Sequence, residues 1–396
     1  MSRFDVLLVG AGIVGCACAR ELAQAGLRVG IIEGNVPGSG ATAAGMGHVV
    51  VMDDSPAQLA LTHYSRTLWQ ELVPSLPATI EYESRGTLWV AVDEEEMAEV
   101  RAKYAVCQST GIRAEILNAA QLAQAEPNLR TGLPGALLIP DDGVIYPPAA
   151  AAFFLDQARS LGATLIQGSP AISAAHGEVR LADGTVLQAD RIVLATGADC
   201  SLLPTMPIRK RKGHLLITDR YPGFVNHQLV ELGYLKSAHS VVADSVAFNI
   251  QPRQTGQLLI GSSRQFDNED PSADTAIVRQ MLARAHEYMP GLAHLSGLRL
   301  WTGFRAATPD KLPLIGPAST LVEGPADPSL WLAAGFEGLG ITNAPAAARL
   351  LADQILDRPS AIPAAPYLPE RFASTNPLSS SVPHSAVADR QEPLHA

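Results

Sequence analysis

The chain has 396 residues, 47% of them hydrophobic, and 29 Lys and Arg against 39 Asp and Glu give it a net charge of −10 at pH 7. That length and apolar content exclude a disordered or fibrous protein and lead us to expect two to three domain-sized units. The acidic balance, with no long run of Lys or Arg, excludes nucleic acid as a partner.

Almost nothing precedes Asp5 to serve as a positively charged leader, and glycines interrupt every long apolar run. Neither a signal peptide nor a transmembrane segment is expected. We therefore expect a cytoplasmic protein, with peripheral attachment to an inner membrane left open. Cys16, Cys18, Cys107 and Cys200 lack C-x-x-C spacing, so no disulfide, zinc or iron–sulfur site is expected. Glycine is abundant (33) and aromatic residues are scarce (5%), which favours close backbone approaches over a core of large rings.

Residues 5–9 read as a short strand, and Gly10, Ala11, Gly12, Ile13, Val14 and Gly15 follow it as G-x-G-x-x-G. A helix is expected over 13–26, stopped by Gly26, and a second strand over 28–32 ends on Glu33. Each glycine has a mechanical reason: Gly10 for the tight turn, Gly12 for close approach of a pyrophosphate, Gly15 for packing of helix on strand. Glu33, about 20 residues beyond Gly10, stands where a carboxylate bonds ribose hydroxyls and repels a 2′-phosphate, so NADP is disfavoured. Dinucleotide binding follows from the whole unit. Residues 38–48 are then small enough to lie flat against a bulky planar ligand.

Further along, 85–92 reads as a strand and Asp93 to Glu96 as the solvated acidic start of a helix. Residues 190–198 read as a buried strand ending in Ala195, Thr196 and Gly197. Arg209, Lys210, Arg211 and Lys212, just before His214, read as a solvated basic turn or as a docking patch for a partner subunit. Strand-like runs at 245–252 and 256–263 belong to a mixed sheet. A glycine-rich turn over 335–340 opens an alanine-rich helix, and the tail from about 374 is Ser/Pro-rich and expected to be disordered.

Segments 38–48, 190–198, 303–316 and 335–345 together resemble the D-amino-acid oxidase-like family of FAD-dependent amine oxidoreductases, which includes glycine oxidase, sarcosine oxidase and D-hydroxyproline dehydrogenases. The likeness covers about residues 4–372. Residues 303–316 look like the family's G-x-R-P-x-T-x-D-x-x-P-x-I-G signature, with Ala306 in place of the usual proline. The resemblance implies an α/β fold: a discontinuous Rossmann-type FAD-binding domain (1–84, 143–213 and 301–373) with a mixed-sheet α+β substrate domain (85–142 and 214–300), as in glycine oxidase. It also implies FAD contacts from the Gly10–Gly15 turn, from Glu33 and Gly34, and from Gly40, Ala41, Thr42, Ala44, Gly45 and Met46. Further contacts would come from Ala171, Ala195, Thr196, Gly197, Gly303 and Arg305, and from Gly338, Leu339, Gly340, Ile341 and Thr342. The last group would aim a helix N-terminus, with its partial positive charge, at the pyrimidine edge of the flavin.

On the substrate side the resemblance makes Arg305 the partner of an amino-acid carboxylate, against an internal brace as the structural reading. Met46 and His48 match positions beside the flavin; His48 reads equally as a proton acceptor and as a buttress of its loop. Asn249 matches a site-lining tyrosine of glycine oxidase or is an exposed strand residue, and Phe336 replaces a frequent histidine. With no second G-x-G-x-x-G there is no NAD(P)H domain, so electrons pass to oxygen, a quinone or a partner redox subunit. Leu259, where monomeric sarcosine oxidases carry a lysine, leans toward a dehydrogenase. Residues 40–53 and 259–264 look most like D-hydroxyproline dehydrogenases, which oxidise cis-4-hydroxy-D-proline. An oxidase of glycine, sarcosine or another D-amino acid is the near alternative, and a non-catalytic flavin-binding subunit of a larger complex the distant one. Homo- and hetero-oligomers both stay open, as does covalent attachment of FAD.

Overall fold

A computed structural model of the chain describes residues 3–233 and 244–373, so the tail expected to be disordered lies outside the described residues. Two eight-stranded sheets and a small ribbon, His48–Val49 with Gly143–Val144, organise them. The first sheet runs through Leu314–Pro317, Leu330–Ala334, Val186–Leu194, Phe4–Val9, Val29–Glu33 and Thr164–Gln167, and a hairpin of Ala171–Ala175 and Glu178–Leu181 extends from Val186–Leu194. Its pairing is parallel from Leu330–Ala334 through Thr164–Gln167.

Parallel strands of this kind are covered on both faces, and Phe4–Val9 shows how. Val6 and Leu8 enter one apolar cluster, Leu7 and Val9 another. The first cluster is where helices Ile13–Gln24, Pro56–Leu72, Pro147–Ser160 and Gly340–Ile355 meet. Their buried residues are largely small, among them Cys16, Ala17, Cys18 and Ala19 in the first helix and Ala344, Ala347 and Ala348 in the last. Small faces allow short interaxial distances, which accounts for a core rich in alanine and poor in rings. All four cysteines are free thiols.

The second sheet runs through Gly297–Ala307, Arg209–Arg220, Gln257–Phe266, Ser245–Pro252, Gln228–Glu231, Thr87–Ala91, Gly135–Ile139 and Glu115–Asn118. It is mixed, because Gln228–Glu231 and Thr87–Ala91 pair in parallel while their neighbours pair antiparallel. Leu88, Val90, Phe248 and Ile250 pack on the face covered by Thr275–Tyr288, where Tyr288 stacks on Phe248 at 4.2 Å. Strand alternation then turns Asn249 and Gln251 to the other face. Asp93 caps Glu94–Ser109 by accepting from Glu96 N–H at 2.8 Å, as an acidic helix start should. Glu96 itself is buried rather than solvated, since its carboxylate turns back to accept from Val92 N–H at 2.9 Å.

The basic turn expected at 209–212 is instead part of the twelve-residue strand Arg209–Arg220. Flanked by Gln257–Phe266 and Gly297–Ala307, it has no solvent side at Arg211, Lys212 and His214, all of which are buried. The exposed members, Arg209 and Lys210, pair with Asp267 and Glu269 at 2.8 and 2.7 Å. Strands Arg209–Arg220 and Gly297–Ala307 run across the positions 213/214 and 300/301 where domain boundaries are expected, because the ladder between them is continuous there.

The glycine turn is the tightest packing point of the first sheet. Gly10 holds φ +107°, and a Cβ at Gly15 would stand 2.0 Å from Gly10 O. Gly15→Ala therefore has to push the first helix off its strand, and overpacking of this kind costs about 1–3 kcal/mol. Denaturant unfolding of the cofactor-free protein should show a lowered midpoint with unchanged slope.

Candidate active site

The two sheets enclose one elongated cavity, entered by the glycine turn at one end and roofed by the second sheet at the other. Of the residues singled out in the sequence, Gly12, Ile13, Val14, Ala41, Thr42, Ala44, Gly45, Met46, His48, Ala195, Gly197, Asn249, Gly303, Arg305, Gly338, Leu339, Gly340 and Ile341 line it. Gly10, Ala11 and Gly15 form the turn behind Gly12. Glu33 accepts from Ala11 N–H at 2.8 Å and from Asn35 N–H at 2.9 Å, so its carboxylate sits against the turn. Gly34 packs on Pro170, beside Ala171, at that same end of the sheet. Gly40 precedes the short helix Ala41–Ala44. Thr196 donates to Asp199 O at 2.6 Å, and Thr342 lies beneath the surface, donating to His48 O at 2.9 Å.

Two helix N-termini open onto the cavity, and neither is capped by its own N-cap side chain: Ile13–Gln24 begins at Gly12 and Gly340–Ile355 at Leu339. Ile13 N–H donates to Thr42 Oγ1 at 3.1 Å, and the other N–H groups of the two first turns favour an anionic ligand. The second helix is held in place from behind. Pro345 inside it has no N–H to offer the carbonyl of Ile341, and Trp69 Nε1 donates there instead, at 3.2 Å, while Ser65 Oγ donates to Thr342 O at 2.6 Å. An FAD fits this donor set: the Gly12 end suits a pyrophosphate, and the Gly340 end suits the electron-rich edge of a flavin ring.

Arg305 comes from Gly297–Ala307 and lies between two glycines. A Cβ at Gly213 would meet its Nη1 at 2.5 Å, and one at Gly338 its Nε at 3.4 Å. Its Nη1 donates to Ser263 O at 2.9 Å, which fixes the plane of the fork. Arg211, directly opposite Arg305 in the ladder, pairs with Glu337, and Lys311 pairs with Asp54 at 3.2 Å. His214 is buried behind these groups. Its Nε2 accepts from Asp274 N–H at 2.9 Å, so Nδ1 carries the proton that meets Ser263 Oγ at 2.8 Å. Burial, helped by Lys212, lowers its pKa.

His48 faces the cavity from the ribbon, with Nε2 enclosed and without a hydrogen-bond partner. Burial pushes its pKa down to about 4, so the ring is neutral at pH 7. Asn249 Oδ1, Gln228 Oε1 and Ser262 Oγ, all on the second sheet, are likewise enclosed without a partner and belong to residues that line the cavity. Met46 packs on Leu215 and Leu259, two apolar side chains of the second sheet.

Sequence reasoning missed Gln228, Ser262, Arg264, Arg211 and Glu337 as lining residues. Gln228 carried no local signal, since it follows Asn226 and His227 in a polar run. Glu337 carried one, as the lone acid in a run of glycines. Among the described residues, no group of three or more His, Cys, Asp and Glu could hold a metal, and no helix is long and apolar enough to cross a membrane.

In comparison with known proteins, residues 5–354 match the family DAO, described as FAD dependent oxidoreductase. The chain is similar to a glycine oxidase of Pseudomonas aeruginosa, 29% identical over 391 residues that cover 92% of this chain and 98% of that one. Its structure is similar to that of glycine oxidase from Geobacillus kaustophilus, with TM-score 0.82 and 26% identity over 93% of this chain and 98% of the other. L-proline dehydrogenase from P. horikoshii shares the fold, with TM-score 0.82 and 23% identity over 94% of this chain and 98% of the other.

Two outcomes follow from this geometry. Gly213→Ala pushes on the guanidinium of Arg305 rather than on backbone, so the protein should fold while any carboxylate held by Arg305 binds about tenfold more weakly, as titration calorimetry would measure. His48 binds its proton more weakly folded than unfolded, so the stability carried by its neutral form is present above pH 6.5 and lost as pH falls from 6.5 toward 4. In His48→Gln that acid limb of the denaturation profile should be shallower.

Proposed function

The chain belongs to the DAO family of FAD-dependent oxidoreductases, and within it we propose that the protein oxidises the Cα–N bond of a small cyclic D-amino acid, cis-4-hydroxy-D-proline first among them, to a pyrroline carboxylate. FAD, when bound, supplies the acceptor for the hydride that leaves Cα. The chain itself supplies orientation, charge and a dry enclosure. Arg305 presents a planar fork to the substrate carboxylate, and two parallel bonds to it would leave the ring only small freedom about the Cα–H direction. Neutral His48 offers Nε2 to the substrate amine without competing for the carboxylate.

The observation that carries this reading is the set of unsatisfied polar atoms on the roof. Asn249 Oδ1, Gln228 Oε1 and Ser262 Oγ are enclosed without partners on the same sheet that carries Arg305. Each buried group left unmade costs about 1–3 kcal/mol. Glycine or sarcosine brings nothing beyond its carboxylate and amine to meet them, whereas a 4-hydroxyl brings both a donor and an acceptor. Leu259, packed against Met46 where monomeric sarcosine oxidases carry a lysine, supports a dehydrogenase that passes electrons to a quinone or a partner redox subunit rather than to oxygen.

Anaerobic mixing of the FAD-loaded protein with cis-4-hydroxy-D-proline, D-proline, sarcosine and glycine tests the reading. Hydroxyproline should bleach the flavin absorbance fastest, and turnover should need a dye acceptor rather than air. Fastest bleaching by glycine would favour a glycine oxidase. No bleaching by any of the four would leave a flavin-binding subunit as the better account. Arg305→Ala should raise KM about a hundredfold, the worth of a charge-assisted pair of bonds.

A further inference from the structure

One carboxylate in the cavity wall has no task in the proposed reaction. Glu337 stands in the glycine-rich turn with φ +52°, a left-handed conformation unusual outside glycine. Its N–H donates to Ala306 O at 2.9 Å, which stitches the turn to the strand of Arg305. The side chain is only 8% exposed, and its Oε1 pairs with the Arg211 guanidinium. The other oxygen, Oε2, is enclosed and has no hydrogen-bond partner. Glu337, Arg211 and Arg305 all line the cavity. Arg211 and Arg305 are directly opposite in the ladder, so their Cβ atoms are about 5 Å apart on one face.

A buried ion pair is a poor device for stability, and a bare carboxylate oxygen within it makes it poorer. Glu337 lines the cavity, so its charge is felt by whatever binds there. We propose that Glu337 is a specificity-determining residue that sets how many carboxylates the site accepts. This rests on the reading of the cavity as an amino-acid site with Arg305 as carboxylate partner. The negative charge of Glu337 acts through the cavity wall and repels a second carboxylate. Amino acids with one carboxylate are admitted; amino dicarboxylates and imino diacids are opposed by a like charge held firm by Arg211 in a site of reduced dielectric.

Pyrrole-2-carboxylate and pyrrole-2,5-dicarboxylate are a matched pair that cannot be oxidised at a Cα–H, and titration calorimetry on the FAD-loaded protein compares them. The parent should bind the monocarboxylate more tightly. Glu337→Gln keeps the size and an oxygen for Arg211 but loses the charge, and should move the ratio of the two Kd values toward the dicarboxylate about tenfold or more. Glu337→Asn, an amide that tolerates left-handed backbone, should move it the same way, and Glu337→Asp should hold the parent ratio. Both ligands binding the neutral variants with the parent ratio would overturn the proposal while leaving the amino-acid site intact. Binding of neither ligand to the parent would overturn the site reading and this inference with it.

Discussion

The register between Arg209–Arg220 and Gly297–Ala307 governs the site. In that antiparallel ladder Arg211 stands opposite Arg305, and Gly213 opposite Gly303. The first pairing sets two guanidiniums side by side on the cavity face. The second removes side chains where Arg305 and Ala44 need the space. A slip of one residue would turn Arg305 to the opposite face of the sheet and bring Phe304 or Ala306 to its place. The same two strands lead into the first sheet, so the register that orients Arg305 also fixes how the roof meets the cofactor cleft.

Burial of so much charge follows from that arrangement. Arg211, Lys212 and Arg264 are each less than a tenth exposed, and a charge in such a place needs compensation in the same neighbourhood. Glu337 supplies part of it to Arg211 from a turn rather than from the sheet. The result is a site with fixed charges that need not reorganise when a ligand enters. That is the property by which preoriented dipoles and charges favour reaction over water. His48 belongs to the same design by staying neutral, held so by burial alone.

Much of the cofactor half is legible in the sequence because its signals are local. The turn at Gly10, Gly12 and Gly15, the acid at Glu33 and the glycine run before Gly340 each need only a few neighbouring residues to be recognised. Cavity lining by the segment 41–48 was accessible for the same reason. The substrate half is less legible. Arg209 to Lys212 read as a solvated run because four consecutive cations rarely enter a sheet, and no local pattern announces that strands on both sides close over them. The Arg211–Glu337 pair joins residues from distant parts of the chain, and Gly213 matters only because Arg305 lies against it. These are properties of register and of turns meeting strands, which no window of sequence contains.

The packing of Ile13–Gln24 against Gly340–Ile355 has a consequence in time. The first helix leaves the ribosome early, but the face it presents through Val14 and Glu21 waits for a partner more than three hundred residues downstream. At about 5–20 residues per second, that wait is roughly 15 to 70 seconds. Throughout it the nascent chain carries an unfinished apolar surface, and the nucleotide cleft has one of its two helix ends. Acquisition of the cofactor is therefore a late event in the life of each molecule, and the interval before it is when chaperones have most to protect.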